Sequence, residues 1–170
     1  MKRFTIIISF IMLTFMPLMA QVKQTVAVLG DSYSTFEGFI PKGYATWYSP
    51  TAPPETTDVN KVEQTWWWQV IKEGGYKMGN INSYSGATIC NTGYRDEDYT
   101  DRSFITRSSL LGNPDIILIC GATNDNWADA PLGNYQVPVI ALHDIDKKNG
   151  HPTIKGMKSI ADQVLKVIKK

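Results

Sequence analysis

The sequence predicts an α/β sandwich built on a parallel sheet. Three observations carry this: short apolar, β-branched runs that stop at glycine, segments of helical period between them, and a strongly periodic helix closing the chain. Thr25 to Leu29 (TVAVL), ending at Gly30, has the form of a strand buried on both faces. Phe36 to Asn60 is rich in Pro, Gly, Thr and Tyr without a steady period, which predicts a long surface loop. Helical period runs from Val62 to Glu73 and is closed by Gly74-Gly75. Lys77 to Tyr84 is a weaker strand leading into Ser85-Gly86. Asp115 to Cys120 (DIILIC), followed by Gly121, repeats the form of the first strand. Val137 to Leu142 (VPVIAL) is a further strand, with Pro138 confining that position to a strand start or an edge. After Pro152, Ile154, Met157, Ile160, Ala161, Val164 and Ile168 recur at three- and four-residue steps, so the last helix lays one face on the sheet.

Composition sets the outer bounds. A chain of 170 residues, 43% hydrophobic and 19% charged, describes one ordinary globular domain rather than a disordered or fibrous chain. Net charge is +1, and Lys and Arg are scattered apart from a small C-terminal cluster, so no basic field for nucleic acid exists. Residues 1–20 read as a signal peptide: two positive residues, an apolar run from Phe4, a breaker at Pro17 and a small Ala20 before Gln21. The apolar run is shorter than the roughly 20 residues a spanning helix needs. The expectation is an exported protein, periplasmic or secreted, with residues 21–170 forming a single domain and no membrane span in the mature form. Cys90 and Cys120 would then meet an oxidising compartment, yet Cys120 ends an apolar run and reads as a buried free thiol.

Each strand end delivers a polar residue of the kind acyl transfer needs. In such sheets chemistry gathers beyond the carboxyl ends of the strands. The first strand leads into Gly30-Asp31-Ser32-Tyr33-Ser34, the second into Ser85-Gly86, the third into Gly121-Ala122-Thr123-Asn124-Asp125, and Gly150-His151-Pro152 follows the last. A serine hydroxyl is a weak nucleophile until a base takes its proton, and the developing oxyanion needs preorganised donors. Ser32 and His151 supply the pair; the backbone N–H groups of Ser32 and Gly86, with the Asn124 amide, supply donors. Pro152 suits a first helical position, which predicts His151 at the N-cap, where the positive helix end would keep the imidazole neutral.

These four ordered blocks resemble the signature blocks of the SGNH (GDSL-like) hydrolases, over the chain from about Val26 to Lys170. The resemblance implies a flavodoxin-like three-layer fold, no metal or other cofactor, and hydrolysis of an acyl ester through an acyl-serine. It implies Ser32 as nucleophile, His151 as base, and Ser32, Gly86 and Asn124 as the oxyanion hole. Three departures stand out. Ala122 occupies the place where the family usually has glycine. The family's acid precedes its histidine by three residues, but position 148 is Lys148; Asp146 is the nearest carboxylate, Asp144 and a Ser-His dyad being the alternatives.

The third departure is a short connection. About ten residues separate Trp127 from the Val137 strand, against at least 10 to 12 for a parallel crossover, which implies a missing βα unit near Gly133-Asn134-Tyr135. A final strand lying directly beside the Asp115 to Cys120 run would displace His151 by about 4.8 Å. A base acts only within about 3 Å. The competing reading is therefore an exported glycan-binding or relic domain of the same fold.

Aromatic residues crowd the predicted site: Trp47-Tyr48, Trp66-Trp67-Trp68, Tyr94, Tyr99 and Trp127. Flat rings suit sugar faces, so Trp47 and Trp127 are expected to bind substrate, an esterified glycan or a smaller ester. Three consecutive helical residues point about 100° apart, so at least one Trp of the triplet belongs to the core.

Overall fold

A computed structural model describes residues 22–128 and 150–169. The signal-peptide reading, the strand predicted at 137–142, and Asp144 and Asp146 lie outside the described residues. Among the described residues three parallel strands form the sheet: β1 (Thr25–Gly30), β2 (Lys77–Ser83) and β3 (Ile116–Cys120), in the order β2-β1-β3. Gly30 pairs with Ser83 on one side and Cys120 on the other, so the three carboxyl ends finish level. The chain therefore leaves all three strands along one rim.

β1 is the middle strand and is buried on both faces, as its unbroken apolar run requires. Its side chains alternate. Val26 and Val28 belong to a core built with α1 (Trp66–Gly74) and with the closing helix, which spans Ile154–Ile168; Ala27 and Leu29 pack with Ala87, Phe104 and Leu111 on the opposite face. The result is three layers. The closing helix buries Met157, Ile160, Ala161 and Leu165, with Val164 and Ile168 packed against the core, while Ile154 of the predicted apolar face is exposed.

The predicted helix from Val62 is divided in two. A short 3₁₀ turn covers Val62–Gln64, Thr65 is extended (ψ 146°), and α1 begins at Trp66. The break has a local cause: the Gln64 side chain turns back to accept the N–H groups of Asn60 and Lys61, both at 2.9 Å, while the Thr65 hydroxyl donates to the Val62 carbonyl. Trp66 and Trp67 are core residues, and Trp68 packs edge-on against Phe39.

Two short helices complete the described fold, α2 (Phe104–Arg107) and α3 (Thr123–Ala128), so the closing helix is α4. Cys90 and Cys120 are free thiols. Among the described residues no helix is long and apolar enough to cross a membrane.

Candidate active site

Directly after β1 the chain tightens into a 3₁₀ turn, Ser32–Ser34. Asp31 caps it by accepting the Tyr33 N–H at 3.0 Å, and the Asp31 N–H donates to the Cys120 carbonyl at 3.2 Å. Gly30 is required by space: a Cβ there would lie 2.5 Å from the Ser34 hydroxyl and 2.7 Å from that of Ser83. The turn presents Ser32 at the rim of the sheet, with its hydroxyl 2.9 Å from Nε2 of His151. The two groups are 119 residues apart in sequence. The displacement expected of a shortened chain has not occurred.

His151 sits in an aromatic cage. Its ring stacks on Trp47 with centroids 3.7 Å apart and planes 4° from parallel, and the rings of Tyr33 and Tyr48 meet it edge-on at 5.2 and 6.3 Å. The backbone on either side is pinned: the Tyr33 hydroxyl donates to the Gly150 carbonyl at 2.6 Å, and the Tyr48 hydroxyl to the Pro152 carbonyl at 3.1 Å. Burial pushes the Tyr33 phenol up to about 12 and Tyr48 higher still, so both remain neutral donors.

One expectation is corrected here. His151 is not the N-cap of α4 and Pro152 is not its first residue; Thr153 is the cap, and the helix begins at Ile154. The Thr153 hydroxyl accepts the Gly156 N–H, and the Asp58 carboxylate accepts that of Ile154, a service an imidazole or a proline cannot perform as well. The helix field fades quickly beyond the helix end, and His151 lies two residues before the cap.

Beyond β2, Gly86 adopts φ +85° in a turn closed by the Ala87 N–H on the Tyr84 carbonyl. A side chain is disfavoured there by the backbone, although the space where a Cβ would stand is open. Asn124, buried at the start of α3, donates one amide N–H to the Ala87 carbonyl at 2.9 Å. An amide carries two N–H groups, so one remains for a ligand. Asp125 accepts the Ile89 N–H through both carboxylate oxygens, fastening the same loop to α3. Ser32 and His151 are thus in contact, and Gly86 and Asn124 are joined through Ala87. Trp127 is 48% exposed and stands beside Gly150, where an added Cβ would lie 3.5 Å from its ring. A cavity of about 320 Å³, lined by residues 54–58 and 151–153, adjoins His151.

Two buried ionisable residues lie beneath this rim: Arg107, which no motif marked, and Asp31 of the first block. Arg107 is fully buried; its guanidinium donates to the Gly30 carbonyl at 3.0 Å, to Asn82 at both backbone and side-chain oxygens, and to the Arg102 carbonyl at 2.7 Å. It clamps the carboxyl ends of β1 and β2 together. Burial lowers its pKa to about 10, which leaves it cationic at neutral pH. Asp31 is equally buried, with one carboxylate oxygen lacking a partner among the described residues. Burial, aided by the Asp125 carboxylate and opposed by the Tyr33 amide and Arg107, raises it to about 7.

The family model described as GDSL-like Lipase/Acylhydrolase matches residues 24–137 and 134–168. The two stretches meet where the connection was expected to be shortened. Two solved structures share the fold. A protein from Bacteroides ovatus ATCC 8483, provisionally named a GDSL-like lipase, is 40% identical, with a TM-score of 0.77 over 88% of this chain and 99% of that one. A Bacteroides uniformis ATCC 8492 protein, given the same provisional name, is 38% identical, with a TM-score of 0.76 over 88% of this chain and 97% of the other. No curated protein matches. A family match spanning nearly the whole described chain, on a fold shared at this identity, makes the protein an ester hydrolase belonging to the GDSL-like lipase/acylhydrolase family.

Proposed function

We propose that this protein is an exported serine esterase that cleaves a carboxylic ester, carried on a carbohydrate, through an acyl-serine intermediate. The observation carrying this is the 2.9 Å contact between the Ser32 hydroxyl and Nε2 of His151. In the proposed reaction Ser32 Oγ attacks the ester carbonyl while its proton passes to His151 Nε2. The tetrahedral oxyanion takes hydrogen bonds from the N–H groups of Ser32 and Gly86 and from the Asn124 amide. Collapse breaks the bond to the alcohol, which leaves with the proton from His151. Water then gives a proton to His151 and attacks the acyl-serine, and the carboxylic acid departs as Ser32 recovers its proton. Asp146 is our candidate for orienting the imidazole, with Asp144 or a dyad as alternatives.

The carbohydrate assignment rests on ring placement. Trp127 stands half-exposed beside Gly150, a suitable platform for a sugar face, whereas one face of Trp47 is already covered by His151. The test is hydrolysis of a chromogenic acetate and of an acetylated oligosaccharide by residues 21–170. Both should be cleaved, and Ser32→Ala should lower kcat by about 10³-fold or more on each. Trp127→Ala should raise KM for the oligosaccharide and leave the small acetate unaffected. Oligosaccharide binding without hydrolysis of either ester would instead support a glycan-binding domain, and turnover indifferent to Ser32→Ala would contradict the serine mechanism.

A further inference from the structure

We infer that Trp47 is a positioning residue for the base: its indole face holds the His151 ring in line with Ser32 and stabilises the imidazolium that forms as Ser32 is deprotonated. The inference rests on the Ser32–His151 reading above. Three observations carry it. The contact is parallel and close, 3.7 Å between centroids at 4°, whereas Tyr33 and Tyr48 offer only edges. The indole N–H is buried without a hydrogen-bond partner among the described residues, so what the ring offers His151 is its face. Trp47 also shares a mount with the nucleophile: the Thr35 hydroxyl accepts the Trp47 backbone N–H at 2.8 Å and donates to the Ser32 carbonyl at 2.9 Å. One hydroxyl thereby sets the nucleophile's turn and the base's platform in register.

The face of an indole is the negative part of its quadrupole and attracts a cation more strongly than a neutral ring. Imidazole is neutral before attack and cationic in the transition state, so the attraction grows along the reaction and acts on kcat. Trp47 also keeps water off His151, which opposes protonation. The two effects separate when Trp47 is replaced by leucine, which excludes water without a π-face, and by phenylalanine, which keeps a weaker one. Other groups facing His151 are common to every variant: the hydroxyls of Ser32, Tyr33 and Tyr48 at the ring, Asp31 behind Tyr33, and Glu55 and Asp58 along the adjoining cavity. Asp144 and Asp146, outside the described residues, are unchanged as well.

The experiment measures kcat and KM for a small acetate ester across pH in wild type, Trp47→Phe, Trp47→Leu and His151→Ala. Trp47→Leu should lose about 5- to 30-fold in kcat with KM within about twofold, and its acid limb should move about 0.5–1 pH unit lower. Trp47→Phe should fall between it and wild type, and this comparison stands alone if the leucine variant folds poorly. A raised KM with unchanged kcat and pH profile would make Trp47 a substrate platform and overturn the inference. His151→Ala at wild-type rate would overturn the underlying reading too, whereas loss in His151→Ala with no change in either Trp47 variant would overturn this inference alone.

Discussion

Asp31, buried at the end of β1, does not behave as an ordinary aspartate. In the folded protein it keeps its proton to about 7, against 3.8 for the unperturbed group. Between those values the folded state binds the extra proton, so stability falls as pH rises, by up to about 1.4 kcal/mol per unit. Asp31→Asn keeps an acceptor for the Tyr33 N–H and removes the titration. Urea midpoints of the two proteins should diverge in favour of the variant from about pH 4, and the gap should level off above about 7. A constant gap would show that Asp31 ionises normally. Ala122 offers a second check at this scale. It stands where the family usually has glycine and adopts φ +78°, a region that costs a residue with a Cβ about 1–2 kcal/mol. Allowing for the extra freedom glycine gains when unfolded, Ala122→Gly should stabilise the fold by about 0.5–1 kcal/mol, read by thermal or urea unfolding. Ser32 was legible in the sequence because a motif and a strand end coincide there, and His151 because it precedes the start of a strongly periodic helix. Asp31's burial and Arg107 were not, because partners supplied by distant segments create their roles.

At the scale of elements, the rim depends on groups that tie one strand end to the next. Arg107, from the four-residue α2, holds the ends of β1 and β2 through the Gly30 and Asn82 carbonyls, the first of which also accepts the Tyr84 N–H at 3.1 Å. Arg107→Met should therefore cost about 3–5 kcal/mol in unfolding free energy. β1, β3 and α4 followed directly from their apolar patterns. The start of α4 did not, because Pro152 and Thr153 both carry helix-start signals and only the structure shows that Thr153 takes the Gly156 N–H while Tyr48 holds Pro152 outside the helix. Thr153→Ala should cost about 1 kcal/mol by unfolding with little change in kcat. His151 is held by its own pinned backbone, not by the cap.

For the molecule as a whole, a chain shortened between its Asn and His blocks still brings its first strand and last helix together. The parallel sheet was legible because β1 and β3 are short apolar runs ending in a turn, whereas the more polar β2 gave a weaker signal. The consequence of the short connection was not, because a sequence does not show whether tertiary contacts absorb the loss. Here contacts hold the residues flanking His151: Tyr33 on Gly150, Tyr48 on Pro152, and Asp58 on Ile154. All come from the first 60 residues, so the segment carrying His151 docks against the segment carrying Ser32. The most direct measurement is the rate at which a serine-reactive phosphonate labels the protein at neutral pH, with the modified residue located by mass spectrometry. The account predicts labelling at Ser32 in wild type, slowed by about 10²-fold or more in His151→Ala. Equal labelling rates in the two proteins, or modification elsewhere in the chain, would contradict it.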